Sequence, residues 1–106
     1  MLDAIDQSQE CLDGRDFGAY RSAPIVRLAC ERCVEVVSEA SRHVPPALQD
    51  RHPSVRWAEI RAIGNVIRHR YYDLDGLVIW RAVRRDLPNL RPVVVNLIEV
   101  IKSNTP

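Results

Sequence analysis

Along this chain apolar residues recur three and four positions apart, the spacing of one helix face. Neither paired strands nor hairpin turns nor internal repeats appear. The first stretch, Leu2 to Leu12, puts Leu2, Ile5 and Leu12 on one side and closes near Gly14. A longer stripe, Val26, Ala29, Cys30, Cys33, Val37 and Ala40, predicts a helix from about Asp16 to His43. Pro24 either starts that helix or kinks it, and Pro45-Pro46 ends it. Ala47 to Ser54 reads as a polar connection with a turn signal at His52-Pro53. Trp57, Ile60, Ile63 and Ile67 mark a third helix over about Val55 to Tyr71. Asp73 or Asp75 is placed to cap a fourth, running through Leu77, Val78, Trp80, Ala82 and Val83 to about Asp86. A fifth covers Asn89 to about Lys102. Its β-branched run has strand composition, but its length and the prolines at its start, Pro88 and Pro92, favour a helix.

These elements predict an all-α fold, an antiparallel bundle of about five helices in a single domain, residues 1–106. A core this small leaves much apolar surface per residue, so a two-fold dimer is expected. Composition changes little: 46% hydrophobic and 27% charged residues describe an ordinary globular chain. No apolar run reaches the ~20 residues of a membrane span. The start, Met1 to Asp6, is acidic and lacks the basic and apolar regions of a signal peptide, which predicts a cytoplasmic protein away from membranes. Three cysteines argue against a disulfide framework. Cys30 and Cys33 form a Cys-x-x-Cys inside a helical stretch, with no second Cys/His pair at ligand spacing. They read as buried thiols one turn apart, and neither a metal nor another cofactor is expected.

Charge alters the picture more. The net charge of +1 hides five Arg against nine Asp/Glu in residues 1–50, and eight Arg against three Asp/Glu in residues 51–85. The basic middle can attract phosphate, or it can match the acidic half within one chain or across a dimer.

On the third predicted helix, Arg61, Asn65, Arg68, His69 and Tyr72 share a polar face opposite Ile60, Ile63 and Ile67. A histidine at the helix C-terminus, with arginines and an amide nearby, suits phosphate-ester chemistry. Histidine exchanges protons near neutral pH, arginine holds phosphate through two bonds, and asparagine orients either. Spacing alone equally describes a solvated face whose histidine caps the last carbonyls. Trp57 and Trp80 read as core or interface anchors, His52 as a turn residue and His43 as a helix terminus. Glu39 is either an exposed acid or a buried partner of a third-helix arginine. No glycine-rich phosphate loop, paired-carboxylate signal or nucleophile elbow is present.

The blocks R-x-x-C-E-R-C-V-E-V-V-S-E-A-S from Arg27 to Ser41, then R-H-P-S-V-R-W-A-E-I, G-N-V-I-R-H-R-Y-Y, Trp80 and D-L-P-N-L follow in order. Over roughly residues 25 to 90 this resembles the HepT-like proteins of the HEPN superfamily. The resemblance implies a helical bundle paired into a two-fold dimer. It also implies a toxin of a toxin–antitoxin pair, an endoribonuclease working on RNA (tRNA or mRNA) without metal, with a minimal nucleotidyltransferase as antitoxin. In the family that partner attaches AMP to a tyrosine two places after the motif histidine, here Tyr71. The family motif is Arg-Asn, three residues, then His-x-Tyr. Asn65, His69 and Tyr71 match, whereas Gly64 replaces the arginine. Arg68 and Arg61 are the available substitutes. Two readings follow. In one, His69 serves as acid and base in 2′-OH attack, with Asn65 and Arg68 beside it and Arg61 and Arg68 holding substrate. In the other, the chain is a catalytically inactive partner of the nucleotidyltransferase, with Tyr71 as the AMPylation site.

Overall fold

In the computed structural model, which describes residues 1–68 and 76–103, every regular element is helical. The helices are α1 (Leu2–Leu12), α2 (Phe17–Arg21), α3 (Pro24–Ser41), α4 (Pro46–Asp50), α5 (Trp57–Arg68), α6 (Leu77–Arg81) and α7 (Leu87–Ser103). A π-helical turn, Ala82–Asp86, joins α6 to α7 without a break.

The long helices pack antiparallel around α3. Cys11 touches Cys33, while Met1 and Leu2, at the other end of α1, share a groove with Ala40 and His43. On the other side Ser38 meets Gly64 and Arg42 meets Arg61, so α5 also runs against α3. α7 lies antiparallel to α1, held by the Asp6–Arg91 ion pair at 2.7 Å. Ile5, Val34, Val37, Val83, Leu87 and Leu90 are almost wholly buried between these helices. Each such side chain contributes about 1.5–3 kcal/mol through burial. Among the described residues no helix is long and apolar enough to cross a membrane.

The predicted α1 is found at its expected bounds, ended by Asp13 and Gly14 in the left-handed region at φ 48 and 67. The predicted second helix is two helices. Asp16 caps α2 by accepting a 2.8 Å bond from the Ala19 N–H, and Pro24 opens α3 as its first residue. Part of the predicted polar connection is helical too, because Pro46 starts the short α4. The fourth helix begins from Gly76, at φ 81; Asp73 and Asp75, the expected caps, lie outside the described residues.

The expected break before the last helix is absent. Pro88 has no N–H, and in a regular α-helix its ring would strike the carbonyl four residues earlier. The π turn widens the helix there instead, with the Leu87 N–H bonding the Ala82 carbonyl. Pro88 cannot serve the next carbonyl in that pattern, Val83. Gln9 of α1 does so, its Nε2 donating at 2.8 Å. The β-branched run Val93-Val94-Val95 is helical, as expected from its length.

Candidate active site

Helix α5 carries the candidate residues. Trp57, Ile60 and Ile63 are buried along one side, and Trp57 is fixed by donating its indole N–H to the His52 carbonyl at 3.1 Å. Glu59 in the first turn and Arg68 in the last oppose the helix dipole favourably. Asn65 and Arg68 are exposed beyond this anchored side.

A helical side chain leans toward the N-terminus, over the residues three and four positions earlier. Arg68 therefore lies over Gly64 and Asn65. Its Nη2 donates to Asn65 Oδ1. Its Nη1 is 3.6 Å from where a Cβ on Gly64 would stand. The guanidinium thus occupies the space above residue 64. Gly64 itself is buried, its N–H donating to Ser38 Oγ at 3.3 Å. The glycine marks a close approach of α5 to α3.

Arg68 also lines a groove of about 440 Å³ with Arg32, Glu35, Val36, Glu39, Ala40 and His43 of α3 and the turn after it. Glu39 is exposed and pairs with Arg42 at 3.6 Å and His43 at 3.8 Å, which resolves its two readings in favour of the surface acid. Arg32 pairs with Glu35 at 2.7 Å. These are solvent-exposed pairs of modest strength, and they line the groove beside the Arg68 guanidinium.

Arg61 is not part of this groove. Its Nη1 donates to Gln49 Oε1 at 2.8 Å, and Gln49 is held in turn through the Val44 carbonyl at 2.9 Å. The side chain is directed to α4 and lines a separate hollow of about 500 Å³ with Gln49, Arg56 and Glu59. The structure therefore brings Asn65 and Arg68 together and sets the Arg61 side chain apart. His69, Tyr71 and Tyr72 lie outside the described residues.

Ser38 is the site-bordering residue that sequence reading passed over. It is a hydroxyl on the inner side of α3, 2% exposed, near Val34 and Val37 in sequence. A small polar residue within an apolar stripe, opposite a helical glycine, is the signal that could have found it. The cysteines meet their expectation: Cys30 and Cys33 are buried and free. Burial pushes the Cys30 thiol up to about 12 and raises Cys33 as well. Among the described residues no group of three or more His, Cys, Asp or Glu is placed to hold a metal ion.

The molecule is thus an all-α antiparallel bundle with an Arg–Asn pair on the exposed face of its third long helix. The family model for the HepT-like ribonucleases matches residues 1–97, and the chain belongs to that family. It is similar to the "Probable ribonuclease HepT" of Thermococcus cleftensis, 31% identical over 86% of this chain and 83% of that protein. It is also similar to a "Putative RNase" of Methanocaldococcus jannaschii, 28% identical over 89% of this chain and 86% of that one. No solved structure matches the chain.

Proposed function

We propose that this chain is a metal-independent endoribonuclease, the toxin of a HepT-like toxin–antitoxin pair. The observation that carries the reading is the Arg68 guanidinium lying over Gly64 and bonded to Asn65. A cation stands beside the motif asparagine despite the loss of the motif arginine. Family membership supports RNA as substrate.

In this mechanism an RNA 2′-OH loses its proton to His69 and attacks the adjacent phosphorus. The bond to the 5′-oxygen breaks, that oxygen gains a proton, and a cyclic phosphate remains. The acid for the second transfer is His69 of the partner subunit in a two-fold dimer. Arg68 steadies the charge on the phosphorane, and Asn65 orients Arg68 and the phosphate. Exposed Ile25 and Leu28 on α3 supply apolar surface for such a dimer. A minimal nucleotidyltransferase is the proposed antitoxin and Tyr71 its AMPylation site.

The test is incubation of the purified protein with tRNA and mixed RNA in EDTA, beside the His69→Ala variant. The expected result is cleavage by the native chain alone. Equal cleavage by His69→Ala removes the mechanism. Absence of cleavage by a folded, AMP-free protein favours the second reading, an inactive partner of the nucleotidyltransferase. Buried Gly64, which leaves little room for a motif arginine against Ser38, is the observation on its side.

A further inference from the structure

The polar contact between α3 and α5 is concentrated on one turn. Ser38 Oγ donates to the Arg61 carbonyl at 3.1 Å and accepts from the Gly64 N–H at 3.3 Å. Arg42 Nη2 donates to the same Arg61 carbonyl at 3.3 Å. That turn leads directly into Asn65 and Arg68. Ser38 is 2% exposed, so its hydroxyl works where water does not compete. Gly64 faces it from the other helix. A Cβ at residue 64 would stand 3.3 Å from Ser38 Oγ, 3.6 Å from Arg68 Nη1 and 3.9 Å from Arg68 Nη2. One added carbon would therefore press on the Ser38 hydroxyl while meeting the guanidinium at ordinary contact distance, and a longer side chain would grow from there toward the space Arg68 holds.

We propose that Ser38 and Gly64 form a positioning pair for the Asn65–Arg68 site. The Ser38 hydroxyl fixes the height and register of α5 over α3. The absent side chain at Gly64 leaves the Ser38 hydroxyl its seat, and keeps any longer side chain out of the space Arg68 holds beside Asn65. Gly64 is then a working part of this version of the site, coupled to Arg68, and returning an arginine to residue 64 damages it. The pair touches no substrate and acts only through Arg68 and Asn65. The proposal rests on the ribonuclease reading for its effect on turnover, but not for its effect on Arg68.

The test therefore has two readouts. Nuclear magnetic resonance of the Arg68 Nε–H group reports whether the guanidinium is held, and steady-state RNA cleavage reports kcat and KM. Ser38→Ala keeps the fold by circular dichroism, frees the Arg68 signal to that of a mobile side chain, and lowers kcat about tenfold or more with KM little changed, as expected for a misplaced group. Ser38→Thr, which retains the hydroxyl, recovers most of both. Gly64→Ala gives an intermediate loss, and Gly64→Arg a larger one. An unchanged Arg68 signal in Ser38→Ala overturns the proposal, and so does a gain in kcat in Gly64→Arg. Should the native protein cleave no RNA, the ribonuclease reading fails, and the Arg68 signal still decides the positioning pair.

Discussion

Helix α3 has two seams of different character. Toward α1 it presents Cys30 and Cys33, and Cys11 closes on them from the opposite helix. These groups are soft, weakly polar and tolerant of small shifts. Toward α5 it presents Ser38, hydrogen-bonded to two backbone groups of one turn. Hydrogen bonds depend steeply on distance and angle, whereas burial of apolar area does not. The α1 seam therefore supplies stability without demanding one register. The α5 seam buries Trp57, Ile60 and Ile63 and demands a register as well. The candidate site lies on the seam that specifies position.

Variants on the two seams should separate stability from activity. The largest stability effect belongs to the apolar side: Ile5→Ala, at a fully buried α1 position, should cost about 2–5 kcal/mol. Denaturant titration measures that loss, and cleavage per folded molecule should stay unchanged. A matching fall in kcat would show that the seams are not separable. Ser38→Ala should cost less, about 1 kcal/mol, the usual net value of a buried hydrogen bond. Its kcat should nevertheless fall further than that of Ile5→Ala.

Alkali gives a third contrast. The Cys30 pKa is pushed up to about 12 by burial, so the folded state holds this proton more tightly than the unfolded state. Its contribution is complete below the ordinary thiol pKa of about 8.5 and is lost as pH rises from there toward 12. Thermal melts should show a falling Tm over that window, and Cys30→Ala should flatten the fall. The smallest effect is at the surface. Asp6 is held below the usual carboxylate range by its hydrogen bond to Arg91. The pair's contribution is present above the ordinary carboxylate pKa and declines as pH falls through the lowered one. Arg91→Ala should barely shift the Tm at neutral pH, and the difference from the native chain should vanish in acid.

The class of fold was legible because helical spacing is a local property, carried by side chains such as Ile60, Ile63 and Ile67. The bounds of α1 were legible for the same reason, since Gly14 marks its end. The prolines were harder. Pro24 does begin a helix, but Pro88 does not interrupt one. Its effect depends on a carbonyl four residues back and on Gln9, 74 residues away from the carbonyl it satisfies. In the site, Arg68 was a named substitute for the motif arginine, and its guanidinium is bonded to Asn65. Arg61 shares its polar face in projection, yet Gln49 of α4 holds its side chain elsewhere. The contacts of Ser38 were hidden because a serine in a helix carries no sign of what faces it. Only the packing of α3 on α5 turns Ser38 and Gly64 into neighbours.

The π turn at Ala82–Asp86 also has a consequence for how this chain can change. It takes up one extra residue within what would otherwise be one regular helix, and so lets the face after it keep its phase. Each residue of an α-helix advances the face by about 100°. Removing a single residue between Ala82 and Asp86 would let the turn close to ordinary α-helix and leave Leu90, Val94 and Leu97 on the core and Arg91 beside Asp6, but it would set the Pro88 ring against the carbonyl one turn back. A sequence shortened by one residue there would need Pro88 replaced, not its final helix repatterned. The stretch thus carries one spare residue, and Pro88 is what keeps it in use.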